Sequence, residues 1–555
     1  MADYIIFDKA PTITFTCNTP IYDWYINTQE SSEKTRLSGV ITTGNCAKEF
    51  LLSDVEAEIK IRGNYTSNYS KKPFQIKFND KQNLFGLNKG NKHKKWILLA
   101  EYNDGSMLRN ALAFYMAQQM DKDTDVWVPT FTFAHFYITD SETTYYMGLY
   151  LLVDQKEQAK KRVNVFEPED GYEGTDIGYF FERDDYVQNE TDPIFTITFG
   201  EYSPAKPTYV NHESNRWARQ CNGRSLKYDG YSIHSKITND NQITYLKMKV
   251  LQFYEVLYRA AINEEAYIIN ENEEVVPDPT LTPRQAVERI VNLKSFVNTY
   301  ILQDIVCNPD IAHSSFYLSL DMSTEGDKKL TLCCPWDFDL ALGLAKNFQE
   351  SPAVDNLWAN HTSYNPWVYL LSQTTWFMDL VEEKWQWLYD HYFFRKSLNM
   401  LETYSKNYRQ EFEQNFDEWD IKWEHHKTWN QDWKSPVSLV KPSYADVANE
   451  AEAKDLLETW VNTRYVTLHG LYHGQGSTDW PDEPEPTPPV PPKPPMPIWM
   501  KANNERRYQF RGLSKDIKPT KETFPCLGNG SILIEMDTGK MFMYDEENDV
   551  WYLLK

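Results

Sequence analysis

Cysteine is scarce in this 555-residue chain: Cys17, Cys46, Cys221, Cys307, Cys333, Cys334 and Cys526 are odd in number, scattered, and nowhere spaced as CxxC. Such a set reads as buried reduced thiols of a protein folded in a reducing cytosol, not as a disulfide frame or a zinc site. No apolar run approaches the roughly 18 residues that a membrane span needs. The opening Met1-Ala2-Asp3-Tyr4 lacks the basic and apolar regions of a signal peptide. Membrane insertion and signal-directed export are therefore not expected. Positive charge is also short, with 57 Lys and Arg against 80 Asp and Glu, a net −23. A field of that sign repels DNA, RNA and anionic lipid, so nucleic-acid binding is not expected. Walker A, GxGxxG and HRD motifs are absent, which excludes the commoner phosphate-binding designs. No internal repeat is present.

What the chain has in quantity is aromatic residues, 18 Trp, 36 Tyr and 28 Phe, which need cores to sit in. At roughly 150 residues per domain its length suggests three or four domains. The clearest boundary is the proline-rich run 481–497, whose fixed φ angles and missing donors impose polyproline II. That makes a stiff spacer of roughly 50 Å. Beyond it, Gly530 to Met536 and Lys540 to Tyr544 read as two strands around an Asp537-Thr538-Gly539 turn. Before it, strand-like runs such as Glu58 to Arg62 and Phe74 to Phe78 alternate with a helix over Ser106–Met120 that Ser106 could cap. Tyr245–Tyr267 and most of 366–475 carry helical periodicity. The expected class is α+β: an N-terminal β extension (1–50), a β-rich lobe (51–240), a helix-rich lobe (241–476), a linker (477–498) and a small β appendage (499–555).

Two constellations could carry chemistry. Between Lys60 and Lys95 stand ten Lys or Arg against one acid, Asp80, a local +9. One reading is an anion pocket built by Arg62-Gly63-Asn64 with Lys72 or Lys77; the other is a solvated basic face. The second constellation runs from Asn308-Pro309-Asp310 through Phe316-Tyr317-Leu318, a polar loop, and Leu330-Thr331-Leu332 to Pro335-Trp336-Asp337-Phe338-Asp339. A hairpin returns its ends to one place, so Asp310 should lie beside Asp337 or Asp339. Clustered carboxylates repel unless a cation or proton compensates them, which makes a Mg²⁺ site the sharp reading and a pair of loop caps the bland one.

The charge run Lys156 to Arg162 reads as the solvated face of a helix, and Asp184-Asp185 as a strand terminus or a nucleotide-contacting edge. His425-His426, His469 with His473, and the tryptophans from Trp376 to Trp433 read as structural more than as metal ligands or a sugar platform.

At these residues the sequence resembles the spore coat protein H (CotH-like) kinase family, atypical kinases that phosphorylate Ser or Thr with Mg²⁺ and ATP. Arg62-Gly63-Asn64 with Lys71-Lys72-Pro73-Phe74-Gln75-Ile76-Lys77 is similar to the family's RGN…KKPY…K segment. Trp96 to Asp104 with Leu108-Arg109-Asn110 is similar to its W-L-L-A-x-Y-x-D…L-R-N segment. Asn308-Pro309-Asp310 resembles its N-x-D loop and Pro335 to Gly343 its P-W-D-x-D…G segment, and Trp460 and Arg464 fit the closing helix. The resemblance spans roughly 50–475. It implies a two-lobed kinase-like fold in which Arg62 and Lys72 or Lys77 meet ATP phosphates, Asp310 orients the acceptor hydroxyl, and Asp337 holds Mg²⁺, with Asp339 and Ser315 as further metal candidates. Ser315 stands where the family usually supplies an Asn, which leaves two alternatives: one weakly held Mg²⁺, or the fold without turnover.

The appendage is similar to short β segments that close many bacteriophage virion proteins. Together with the spacer it suggests a body displayed on a virion or particle surface after cytoplasmic synthesis, partnered by coat or virion proteins and forming a homo-oligomer on the particle. The functional expectation is a phosphotransferase for coat, virion or surface proteins. Its competitor is a weak or inactive kinase-fold structural protein of a phage virion, and a third reading is a glycan-binding body.

Overall fold

A computed structural model describes residues 5–28, 34–124, 126–184, 187, 192–202, 228–312, 314–346, 359, 365–419, 438–439, 449–473, 480–481, 501–502, 508–524 and 527–554. The chain divides into two compact units, Met1–Pro481 and Asp482–Lys555.

The first unit opens with strands whose side chains alternate between apolar and polar. These are β1 (Thr12–Thr16), β2 (Leu37–Gly44), β3 (Val55–Ile61), β4 (Phe74–Gln82), β5 (His93–Leu99), β6 (Phe131–Thr139) and β7 (Thr144–Asp154). They close into a barrel in the order β1-β2-β3-β4-β5-β7-β6. All neighbours are antiparallel except β6, which returns to β1 in parallel. Period-two alternation sends Ile13, Phe15, Ile41, Ile59, Phe74, Ile76, Trp96, Phe136 and Tyr150 inward, where they fill the lumen. Strands β1 and β2, from the segment expected as an extension, are thus staves of this barrel.

The outer side of β5, β6 and β7 is buried too. Ile97, Phe133, Leu149, Leu151 and Val153 belong to a second, larger core with helix α2 (Arg109–Met120). That helix, preceded in the chain by a short α1 (Tyr22–Asn27), starts three residues later than Ser106. Its first turn is held by Asp104, whose Oδ2 accepts from Arg109 N at 2.8 Å. Ser106 Oγ accepts from Leu108 N at 3.3 Å.

A second, antiparallel sheet has the order β14-β13-β8-β10-β9, built from β8 (Gly178–Arg183), β9 (Ile194–Thr198), β10 (Tyr228–Ile233), β13 (Phe316–Asp321) and β14 (Thr331–Leu332). Between its halves come α3 (Asp240–Tyr258), a small hairpin β11 (Tyr267–Ile269) with β12 (Val275–Pro277), α4 (Pro283–Glu288) and α5 (Leu293–Val306). Asn239 caps α3 and a Thr282/Gln285 capping box starts α4. The helical periodicity of 366–475 yields α6 (Pro366–Ser372), α7 (Thr375–Asp390), α8 (Phe393–Asn407), α9 (Arg409–Glu418) and α10 (Glu450–His473). A two-residue pair joins β15 (Ala345–Lys346) to β16 (Ser438–Leu439). Ten α-helices thus accompany the barrel among the described residues. No described helix is long and apolar enough to cross a membrane.

The second unit is a five-stranded sheet of β17 (Lys501–Ala502), β18 (Tyr508–Gly512), β19 (Ile532–Glu535), β20 (Met541–Asp545) and β21 (Val550–Leu554). Strands β19 and β20 flank the Asp537-Thr538-Gly539 turn, as the pattern predicts. The linker prolines from 482 onward lie outside the described residues.

Candidate active site

Helix α5 stops at Cys307, whose backbone turns left-handed (φ 50°) and redirects the chain into a 3₁₀ turn, Pro309–Ala312, that carries Asp310. The chain then runs up β13 and back down β14, pairing Leu318 with Leu332. The return delivers Asp337 and Asp339 beside Asp310, as the hairpin argument requires. Ligand oxygens of Asp310, Asp337 and Asp339 lie within 4.8 Å of one another. Asn308 ties the two ends together: its Nδ2 donates to Asp337 O at 2.9 Å, and its Oδ1 accepts from Asp310 N at 3.2 Å. Ser315, Cys334 and Asp337 all adopt left-handed backbone (φ 57°, 50° and 66°). Non-glycine residues rarely sit there, and such strain concentrates where geometry is held for a purpose.

Helix α2 supports the floor. Asn110 Oδ1 accepts from Phe338 N at 2.9 Å, and its Nδ2 donates to both oxygens of Glu101 at 3.1 and 3.2 Å. Arg109, in a buried ion pair with Asp104, donates from Nε to Leu342 O at 3.3 Å. From the barrel, Arg62 follows β3 and its guanidinium stacks 5.6 Å from the Trp336 ring centre. Gly63 (φ 83°) makes the turn that follows, where a Cβ would meet Thr66 Oγ1 at 2.1 Å. Arg62, Tyr69, Glu101, Tyr102, Trp336, Asp337 and Asp339 line a cleft.

A polar chain reaches the triad from the second sheet. Ser315 Oγ donates to Asp337 Oδ2 at 3.1 Å, and Ser315 N donates to Glu182 Oε1 at 2.6 Å. Glu182 lies 3.8 Å from Lys156 Nζ and 3.0 Å from His234 Nε2, while His234 Nδ1 meets Asp192 at 2.9 Å. Lys156 stands 3.7 Å over the Tyr317 ring.

Burial, and then the Asp337 charge, push the Asp310 carboxyl well above the ordinary carboxylate range. Asp339 is raised for the same reasons, with Asp310 and Glu101 adding to the repulsion. Burial first and Asp104 second push Glu101 up to about 8. Burial also lowers Arg62, against the pull of Asp337 and Asp339. Burial alone would lower His234, but hydrogen bonds to Asp192 and Glu182 outweigh it and raise the ring. Three half-buried carboxylates this close to one another present oxygen ligands only, the set that suits Mg²⁺ or another hard divalent cation. The residues therefore fit the metal that the sequence implies.

A family model described as CotH kinase protein matches residues 59–468. The chain belongs to the CotH kinase family. A search of curated proteins gives no match.

Within this CotH kinase-family chain, Arg62, Asp337 and Asp339 line the cleft, and Asp310 and Ser315 stand beside Asp337. Lys72 and Lys77 do not join them. Lys72 Nζ is buried and donates to Thr28 O at 2.9 Å and Ser67 O at 2.5 Å, and burial lowers it to about 8. Lys77 points off the barrel and pairs with Glu58 at 3.5 Å. The run Lys156 to Arg162 is not helical. Lys156 turns toward the site, and Arg162 is fully buried against Asp154 and Glu157. Asp184 is buried at the end of β8, while Asp185 lies outside the described residues. His469 accepts from Trp385 Nε1 at 3.2 Å and stacks on Tyr389, a structural role; His425 and His426 lie outside the described residues.

Glu101, Asn110, Lys156 and Glu182 are site residues that motif spacing did not single out for a role. A signal for two of them exists: Glu101 ends the apolar run Trp96 to Ala100, and Glu182 ends Gly178-Tyr179-Phe180-Phe181. An acid terminating a strand that is otherwise apolar must be buried with a partner, and both are.

Proposed function

We propose that this chain is a Mg²⁺- and ATP-dependent phosphotransferase acting on Ser or Thr of coat, virion or surface proteins, its barrel side and helical side serving as the two lobes of a kinase-like fold. The observation that carries this reading is the carboxylate triad Asp310/Asp337/Asp339, of which Asp337 and Asp339 line a cleft together with Arg62 from the barrel. Asp310, held by Asn308 and raised by burial, is suited to orient an acceptor hydroxyl and take its proton. Asp337 and Asp339 would hold the metal, with the Ser315 hydroxyl beside Asp337. Bound there, Mg²⁺ supplies charge neutralisation at the phosphoryl oxygens. Arg62 adds a fixed, planar cation for phosphate oxygens, and Trp336 gives its guanidinium a stacking surface.

The test is the melting temperature of the full chain with ATP, with Mg²⁺ and with both. A ligand at 100 times its Kd stabilises the folded state by about 2.7 kcal/mol. A rise that requires both ligands and disappears in Asp337→Ala is expected, followed by phosphate transfer that Asp310→Ala abolishes. No rise at millimolar ligand overturns the reading. One observation favours a kinase-fold virion protein of weak turnover instead: Ser315 donates to an Asp337 oxygen that a cation would use. On that second reading Ser315→Asn raises phosphate transfer. On the first, it leaves transfer within about twofold.

A further inference from the structure

The free edge of the C-terminal sheet is unlike the edges that soluble proteins normally show. Strand β21 is the last of the order β17-β18-β19-β20-β21, and no described strand pairs with its outer side. Edge strands are usually blunted by charge, proline or a bulge. The sequence of β21, Val550-Trp551-Tyr552-Leu553-Leu554, has none of these. Its side chains are exposed on both faces of the sheet. Tyr552 (57 %) and Val550 (39 %) share one face with Met541 and Met543. Leu553 (53 %) lies on the other face, in register with Phe542, where the small core of Phe510, Leu533 and Tyr544 is built. A leucine on the core side stays that exposed only because no further strand covers it.

We propose that β21 pairs antiparallel with β21 of a second copy of this chain, about a two-fold axis at Tyr552, joining two five-stranded sheets into one. The strand is self-complementary in that register. Val550 falls opposite Leu554, Trp551 opposite Leu553, and Tyr552 opposite itself, so the covered contacts are apolar on both faces. Charge also selects a copy of this unit as the partner. The unit Asp482–Lys555 holds ten Lys and Arg against twelve Asp and Glu, a net −2, whereas the rest of the chain carries −21. Two such units approach with little repulsion, while the bodies repel, so association at the appendage is the contact that charge permits.

The test uses the full chain in sedimentation velocity up to about 0.1 mM protein. The wild type is expected near twice 65.3 kDa. Leu553→Glu, which places a charge opposite Trp551 without touching the Met541 face, should sediment as a single copy. Met541→Lys, on that face but away from the edge, should remain paired. Tyr552→Cys should form a disulfide between two copies on mild oxidation, since directly opposite residues bring Cα atoms to about 4.5–5.5 Å, while exposed Met536→Cys should not. A wild type that stays single throughout overturns the proposal. So does the reverse pattern, Met541→Lys single and Leu553→Glu paired, which would mean that sheets stack by their faces.

Discussion

The barrel interior and the floor of the cleft are built on opposite rules. Inside the barrel the strands keep their alternation apart from register shifts in the β6–β7 and β4–β5 pairings, and the lumen is filled by Ile59, Phe74, Ile76, Trp96 and Phe136. At the cleft Glu101, Asp337 and Asp339 line a partly desolvated space, and Asp310 brings a carboxylate oxygen within 4.8 Å of those of Asp337 and Asp339. Five non-glycine residues there or at its margins, Glu101, Cys307, Ser315, Cys334 and Asp337, take left-handed backbone. Strain and like-charge repulsion persist only where surrounding structure over-determines them. The barrel and the large core behind it supply that surplus, so stability should be lost by substitution in the lumen and gained by substitution on the floor.

The largest expected effect is in the lumen. Phe74 is fully buried and its ring meets Phe136 at 5.1 Å and Tyr150 at 5.8 Å. Phe74→Ala should cost about 3–5 kcal/mol in urea unfolding. A loss below about 1 kcal/mol would mean that the lumen collapses around the gap and that the contrast with the floor is false.

On the floor the sign reverses. The folded-state pKa of Glu101 is raised from the ordinary 4.5 to about 8, so the folded protein keeps a proton that the unfolded chain releases. Stability therefore falls as pH rises from roughly 4.5 to 8 and is level above that window. Glu101→Gln keeps an acceptor for Asn110 and removes the titration. It should flatten that decline and leave the variant about 4 kcal/mol more stable than wild type at pH 8, and within about 1 kcal/mol of it at pH 5. Unfolding curves for the two proteins across this range decide the matter: parallel pH profiles would show that Glu101 is ionised in the folded state like any surface acid.

The same contrast explains what could be read from the sequence. Local pattern is enough for β3 and β4, for most of α2, and for the hairpin that brings Asp310 to Asp337, because each depends on periodicity or on a turn between neighbours. The parallel return of β6 to β1 joins residues more than a hundred positions apart, such as Thr12 and His135, and no local signal encodes it. Hence the segment 1–50 reads as an extension although it closes the barrel. Lys156 is similar: within Lys156 to Arg162 its charge looks like any solvated lysine, and only the β8–β13 pairing brings Glu182 and Tyr317 beside it. Family membership reaches the carboxylates and Arg62, while the residues that orient them come from strands whose sequences announce burial and not role.

The basic segment gives the smallest effect and the sharpest division. Its ten cations have one local pattern but three fates. Arg62 faces the acids of the cleft. Lys71 and Lys72 are buried and donate hydrogen bonds to backbone carbonyls, Lys71 to Ala100 and Leu149 and Lys72 to Thr28 and Ser67. Lys77 stands on the barrel's outer surface between Glu58 of β3 and Lys95 of β5, with side-chain exposures of 43 % for itself and 31 % for Glu58. An ion pair that exposed is screened by solvent and contributes little. Lys77→Ala should change stability by no more than roughly 0.5 kcal/mol. If the phosphates meet Arg62, it should also leave the Mg²⁺- and ATP-dependent rise in melting temperature unchanged, whereas Arg62→Ala removes most of that rise. Loss of the rise in Lys77→Ala with its retention in Arg62→Ala would move the phosphates to the outside of β4. The outer surface of the barrel, and not the carboxylate cleft, would then be where nucleotide binds.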